Sequence, residues 1–495
     1  MGLVLSDRLR FLLDTNVLLP LQDSLLVLEE NLASFVRLAN SGGHQLLYHP
    51  ATMLDIERDK DSQRRARTLR RLQQYTKLEG VKSSPRNSAE TSENDACDND
   101  ILYALECSAV HALVTEDKGI HTKARQAGLG HKVYNIQTAE DWLRRLDEPA
   151  AVCLPNIEDV PMYSLTTQLN SPFFDSLRSS YNAPDHCFDD WFREKAQTGR
   201  KAWIARSNRG TVEAICIYAI QKNEVINNDN ELLTGLALKL CTFKVGEQIR
   251  GKKIGELFLK AAFRFATENR CENIFVHTNQ DQVYLLSLLE DFGFKQRGKY
   301  KQDIMLVKAH PISPPESDLS ALDYAKLYFP HYRSDDSVQK FLVPIKPKYH
   351  EILFPDLLQQ VQLFGGGSTA GNAIKQAYLC KAQTSQVKSG DVVLFYRTGD
   401  DKAVTSVGIV ERYELHQGAA NIMQLVSRRT VYSYREIEAM ADTPTKVMLF
   451  RLAIHLVTPV KYLNLKNEGI VSGPIQSITK ISDDSYFKLL TLSGR

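Results

Sequence analysis

Phe11-Leu12-Leu13-Asp14-Thr15-Asn16-Val17-Leu18-Leu19 is an apolar run carrying a carboxylate and an amide where a core would hold neither. Burying an unpaired ionised Asp is costly, so such a residue persists where a cation or a hydrogen-bond network meets it. Asp14 therefore reads as a metal-facing residue at the end of a first parallel strand. Three further acids fall at comparable places: Asp55 after the β-to-α stretch 45–54, Asp98 at the opening of a helix through Ile101, Leu102 and Leu105, and Asp117 at the end of the strand 112–116. Carboxylates spread over strand ends of a β-α-β chain converge on the carboxyl edge of the sheet, where open α/β folds place their sites. Four oxygen-only side chains suit a hard cation, Mg²⁺ or Mn²⁺. Two such ions roughly 4 Å apart can stabilise both the attacking water and the leaving oxygen of a phosphodiester displacement. Asp100 competes with Asp98, and Glu57 with Asp55; the three-residue step to Ile101 favours Asp98. The alternative is that these acids are helix caps and turn formers, positions Asp favours anyway.

The order Asp14-Thr15-Asn16, Asp55, Asp98-x-x-Ile101 and Thr115-Glu116-Asp117 gives residues 1–148 a resemblance to PIN domains. The resemblance implies a metal-dependent endoribonuclease in which Asp14, Asp55, Asp98 and Asp117 hold the ions and are catalytic, with Thr15, Asn16 or Thr115 orienting them. The basic stretch Arg58, Lys60, Arg64, Arg65, Arg67, Arg70 and Arg71 follows Asp55 and would steer RNA phosphates, or else is a solvated helix face neutralised by Asp59 and Asp61. The polar segment between Gly80 and Cys97 has too little apolar surface to order itself, which predicts a mobile loop leading into Asp98.

A second chemistry begins near Ala151. Strands 202–205 and 212–218 flank a turn at Asn208-Arg209-Gly210, and a longer strand from Leu236 to Val245 runs into Gly246-Glu247-Gln248-Ile249-Arg250-Gly251-Lys252-Lys253-Ile254-Gly255 and a helix. Strand, basic glycine loop and helix start make an anion cradle, because N–H groups and the helix dipole both favour negative charge there. With the strand 273–277 and Asp291-Phe292-Gly293-Phe294, residues 151–310 resemble GNAT acetyltransferases. The resemblance implies acetyl-CoA as cofactor, with Gln248, Arg250, Gly251, Lys253 and Gly255 on the pyrophosphate and Leu240, Thr242 and Val245 along the pantetheine arm. Two departures stand out. Lys253 occupies a usual glycine position, and Leu289 stands four residues before Gly293, where many GNAT enzymes carry the tyrosine that protonates the leaving thiolate. Tyr284, Tyr300 or Glu247 could substitute, with Tyr284 the first choice as catalytic acid, and the strand 238–245 offers no carboxylate as general base.

The prolines at 311, 314 and 315 open a linker, 311–337. Beyond it, residues 338–495 look mainly β, with a strand pair 390–397 and 404–411 across Gly399-Asp400-Asp401 and a helix over 373–381. This part resembles the ASCH and EVE members of the PUA-like barrels, which implies RNA or modified-nucleotide binding; Lys346, Lys348, Tyr349, Tyr396 and Arg397 offer cations and aromatic faces for it. The glycine run at 365–371 lacks the Gly-Lys-Ser/Thr ending of a P-loop, which argues against ATP.

The elements that must position these residues amount to a multidomain α/β and α+β chain: a PIN-like parallel α/β sheet, a central GNAT fold and a C-terminal PUA-like β-barrel. A length of 495 residues suits about three domains. A net charge of +2 gives no global basic signature, so any RNA attraction is local. Eight scattered cysteines without a Cys-x-x-Cys pair suggest neither zinc nor a disulfide framework and fit a reducing cytoplasm. No apolar run reaches membrane-spanning length. The resulting expectation is a cytoplasmic bacterial endoribonuclease that binds acetyl-CoA and RNA, tRNA or modified RNA included, in the manner of a toxin, stress or defence effector held by an inhibitory protein partner. Two alternatives remain open: an N-acetyltransferase acting on RNA, aminoacyl-tRNA or protein with a degenerate PIN scaffold, and a non-enzymatic acetyl-CoA-sensing RNA-binding regulator.

Overall fold

The computed structural model describes residues 8–22, 30–57, 65, 69, 72, 75–88, 91–147, 157–180, 187–207, 210–246, 249, 253–358, 374–426, 429, 432 and 434–495. They form two compact units, residues 1–150 with 415–445, and residues 151–414 with 446–495.

The first unit is built on a parallel sheet of β1 (Arg10–Leu13), β2 (Gln45–Tyr48), β3 (Thr76–Lys77), β4 (Ala112–Val114) and β5 (Val133–Tyr134), in the order β3-β2-β1-β4-β5. Parallel central strands are covered on both faces, and Phe11, Leu12 and Leu13 are all fully buried. Phe11 meets Phe35 and Trp142 edge-on. Strand order reverses between β1 and β4, and Asp14 and Thr115 follow these two strands directly. Asp14 thus lies at the switch point where a sheet of this kind opens a crevice. Residues 83–87 are anchored: the Asp100 carboxylate accepts from Ser84 N (2.7 Å), Asn87 Nδ2 (2.8 Å) and Ser83 Oγ (3.1 Å), and Ser84 is buried. Hydrogen bonds to one carboxylate thus supply the order that apolar surface does not.

The second unit carries two sheets. The first runs β6 (Ile157–Pro161), β7 (Lys201–Arg206), β8 (Val212–Val225), β9 (Leu232–Val245), β10 (Asn273–Thr278), β11 (Lys295–Tyr300) and β12 (Asp303–Ala309), ordered β11-β12-β10-β9-β8-β7-β6. Only the β9–β10 pair is parallel; the other described pairs are antiparallel. The amphipathic helix Ile254–Glu268 lays Phe258, Leu259, Ala262 and Ala266 on one face of this sheet. Phe174, Phe188 and Phe192 from shorter helices cover the other face.

The second sheet comprises β13 (Lys340–Ile345), β14 (Lys375–Cys380), β15 (Val392–Arg397), β16 (Ala403–His416), β17 (Thr445–Lys461) and β18 (Thr479–Ile481), ordered β14-β17-β16-β15-β13-β18. The expected barrel is corrected here to an open sheet: among the described residues its edges are β14 and the three-residue β18, and no strand pair joins them. The helix expected over 373–381 is also corrected. Gln376 to Leu379 are buried and pair antiparallel with β17 from Phe450 to Val447, so sheet pairing overrides a helix-tolerant composition.

Candidate functional site

In the first unit, Asp14 is 5 % exposed and enclosed by donors. Thr115 Oγ1 and Asn16 Nδ2 donate to Oδ2 at 2.6 and 2.8 Å, and Thr15 N donates to Oδ1 at 2.7 Å. Burial pushes its carboxyl up to about 6 against the pull of these hydrogen bonds, and the neighbouring Asp117 and Asp98 charges push the same way. Asp98 is raised by burial and lowered in part by Lys123, whose ammonium lies 2.8 Å from Oδ2. Lys123 also pairs with Asp95. Asp117 is the N-cap of the helix Lys118–Gln126, its Oδ1 accepting from Gly119 N at 2.6 Å and Ile120 N at 3.1 Å. Asp98 and Asp117 thus lie near enough to act on Asp14, whereas Asp100 serves the preceding turn.

Among the described residues no group of three or more His, Cys, Asp or Glu is disposed to hold an ion. Asp117 is engaged in capping and Asp98 by an ammonium, so a divalent ion would have to displace Lys123. Asp55 belongs to the helix Pro50–Glu57, but its side chain lies outside the described residues, as does most of the basic stretch 58–71.

In the second unit, the β9–β10 ladder runs from Asn273↔Ala237 to Val276↔Leu240 and stops, while β9 continues to Val245 and β10 to Thr278. On the other side, β8 pairs Ile217 with Thr242 and Tyr218 with Leu240, so Cys241 is an unmatched bulge residue at the same level. Two neighbouring strands that part at a bulge open a slot suited to an extended chain. Leu240 and Thr242 are buried and Val245 is half-buried along it.

Below the slot, the helix Ile254–Glu268 starts without a side-chain cap. Its first-turn N–H groups have no intrahelical acceptor, which is the condition for anion binding. Lys253 is left-handed at φ 57°, explaining why glycine would be the natural occupant; its ammonium reaches Glu256 Oε1 at 3.2 Å. Gly255 is fixed by packing, since a Cβ there would sit 2.7 Å from Leu288 Cδ2. Gln248, Arg250 and Gly251 lie outside the described residues. Leu289 is fully buried in the core, and Tyr284 is 45 % exposed in the first turn of the helix Val283–Asp291.

Residues 162–294 match the profile of the Acetyltransferase (GNAT) family. Over these residues the chain is similar to that family. No curated protein matches the chain. Among solved structures, an acetyltransferase of the GNAT family from Staphylococcus aureus is 15 % identical, spanning 32 % of this chain and 100 % of its own, with a TM-score of 0.24. The PaiA N-acetyltransferase of Thermoplasma acidophilum, in complex with coenzyme A, is 15 % identical over 31 % of this chain and 99 % of its own, TM-score 0.24. The ASCH protein of Zymomonas mobilis is 14 % identical over 31 % of this chain and 94 % of its own, TM-score 0.25. No helix among the described residues is long and apolar enough to cross a membrane.

Sequence reading missed polar groups on the strands that form the slot. Glu224 of β8 comes within 3.2 Å of Lys239 Nζ of β9, supplying a carboxylate that β9 itself lacks. His277 of β10 stacks on Tyr300 with ring centroids 4.7 Å apart. Burial, then the Lys239 charge, lowers its pKa to about 4, so it is neutral at pH 7. Plain alternation along β8 would put Glu224 on the Tyr218 face; the bulge between Lys222 and Glu224 brings it to the face of Lys239 instead. In the second sheet, Lys346 and Lys348 are exposed, whereas Tyr396 and Arg397 are buried; Arg397 is held by Asp400 at 2.6 Å and Glu351 at 2.8 Å. Those last two are therefore corrected as RNA contacts.

Proposed function

We propose that the chain is an acetyl-CoA-dependent N-acetyltransferase. The observation that carries this reading is the coincidence, inside the family match, of a strand pair parting at Leu240 with an uncapped helix start at Ile254. Acetyl-CoA, when bound, supplies an acyl thioester to an attacking amine. The first-turn N–H groups and the helix dipole would hold the pyrophosphate, with Gln248, Arg250, Gly251, Lys253 and Gly255 around it. Leu240, Thr242 and Val245 would flank the extended arm and exclude water from it. Neutral His277, or Glu224 once it leaves Lys239, would take the proton of an incoming ammonium, and Tyr284 would return one to the departing thiolate. An RNA or aminoacyl-tRNA acceptor is the reading that gives the exposed Lys346 and Lys348 a use. The test is incubation of the full chain with labelled acetyl-CoA and separate peptide, polyamine and tRNA acceptors. Thermal stabilisation by acetyl-CoA and label transfer to one class support the reading; no stabilisation at saturating acetyl-CoA refutes it.

A second reading, metal-dependent RNA cleavage in the first unit by a PIN-like site, is favoured by one observation: Asp14 is buried close enough to Asp98 and Asp117 for both to raise its pKa. Its test is RNA cleavage with Mn²⁺ against cleavage with EDTA.

A further inference from the structure

Glu256 is in the third residue of the helix whose first turn forms the proposed pyrophosphate cradle, and it is 9 % exposed. A carboxylate there is awkward for an anion site. In a capping box, a Glu at this position folds back onto the cap N–H and consumes part of the cradle's donor capacity. Here it turns the other way. Oε2 accepts from Ile374 N at 3.0 Å and from Lys375 N at 3.3 Å, at the start of β14, while Oε1 takes the Lys253 ammonium. β14 is the edge strand of its sheet, so the Lys375 N–H would otherwise be an exposed edge donor, while Ile374, whose carbonyl accepts from Leu452 N of β17, stands at the start of the ladder.

A second attachment lies at the far end of the neighbouring helix. Lys375 Nζ pairs with Asp291 at 2.7 Å, and Arg451 of β17 donates from Nη2 to the Asp291 carbonyl at 2.9 Å. Arg451 also stands over the Phe292 ring, 5.0 Å from its centroid, and pairs with Glu411 at 2.6 Å. Both helices that frame the cradle are thus fastened to β14 and β17 of the other sheet, and they pack on each other through Gly255 and Leu288.

We propose that β14 is a working part of the acetyl-CoA cradle, and that Glu256 is the positioning residue coupling the two sheets. By drawing the Glu256 carboxylate onto Ile374 and Lys375, β14 clears the first-turn N–H groups for a pyrophosphate and keeps the negative charge paired. Cofactor occupancy and order at the β14 edge are then linked in both directions, as any coupling free energy requires. This rests on the acetyl-CoA reading above.

The experiment uses the full chain, with acetyl-CoA as probe, amide hydrogen exchange at Ile374 and Lys375, and calorimetric titration. Wild type should bind acetyl-CoA and slow exchange at both amides. Glu256→Ala should weaken acetyl-CoA binding about tenfold, the scale of a hydrogen bond to a charged group. The loss should appear in KM for acetyl-CoA rather than in kcat, and the exchange response should vanish. Charge alone predicts the opposite, because the substitution removes a negative group from an anion site. Lys375→Pro removes one donor to Glu256 at an edge position that tolerates proline, and carries the test if Glu256→Ala fails to fold; it should weaken binding in the same direction, whereas Lys375→Met, which keeps the N–H, should weaken it less. Binding as tight or tighter in the folded variants, or an exchange rate indifferent to bound acetyl-CoA in wild type, would overturn the coupling. A wild type that binds no acetyl-CoA overturns the cofactor reading itself.

Discussion

Arg451 offers the sharpest stability prediction. Its side chain is 1 % exposed and its partner Glu411 10 % exposed, at 2.6 Å. Removing one member of a buried ion pair costs about 3–5 kcal/mol, because the other charge stays in a poor dielectric without its counter-ion. Arg451 gives more than charge: its guanidinium lies 5.0 Å from the Phe292 centroid, a desolvated cation–π contact worth roughly 1–2 kcal/mol, and it satisfies the Asp291 carbonyl. Arg451→Met keeps much of the volume, so the expected loss is about 4–7 kcal/mol from charge and stacking together. The double variant Arg451→Met with Glu411→Leu removes both charges and should recover at least about 2 kcal/mol of that loss, since apolar replacement of a buried pair is often neutral or better. Urea unfolding followed by tryptophan fluorescence, with Trp142→Phe as the background, confines the signal to Trp191 and Trp203 of the second unit. A single-variant loss below about 1 kcal/mol, or a double variant as costly as the sum of the two singles, would show that the pair is not a buried coupled unit.

Gly251→Glu should abolish the thermal shift given by acetyl-CoA while leaving the unliganded melting temperature in place; equal shifts in variant and wild type would move the cradle elsewhere. Tyr284→Phe should leave acetyl-CoA affinity unchanged and slow transfer at least about tenfold, checked by label incorporation, since general acid assistance is worth that much or more. Lys308 is fully buried, and burial, aided by the Arg451 charge, lowers its pKa from 10.5 to about 7. Between these values the unfolded chain holds a proton the folded one lacks, so stability rises with pH; Lys308→Met should therefore gain on wild type as pH falls from 10 to 7 in paired melting curves, and a constant gap would contradict a neutral buried amine. Asp14→Asn should eliminate any Mn²⁺-dependent RNA cleavage, and cleavage that survives both the substitution and EDTA would exclude a metal site at Asp14.

What the sequence disclosed, it disclosed through residues whose chemistry conflicts with their surroundings. Asp14 and Asn16 interrupt an apolar run, and the structure places Asp14 at the reversal of strand order and packs it with Thr115. Lys253 stands out against a glycine pattern, and the left-handed backbone found there gives the reason; for a residue with a Cβ that conformation costs roughly 1–2 kcal/mol. Glu256 and Arg451 gave no such sign. A Glu in the first turn of a helix and an Arg in a long strand are ordinary locally, and what makes them consequential is a partner 118 positions away for Glu256 and 160 away for Arg451. Residues 373–381 failed for the same reason in reverse: Ala, Lys, Gln and Leu are content in a helix, and only the antiparallel pairing with β17 decides otherwise. That decision is also what presents the N–H groups of Ile374 and Lys375 to Glu256. A helix over 373–381 would also leave these two amides without intrahelical acceptors, so it is the pairing of β14 with β17 that sets their position beside Glu256.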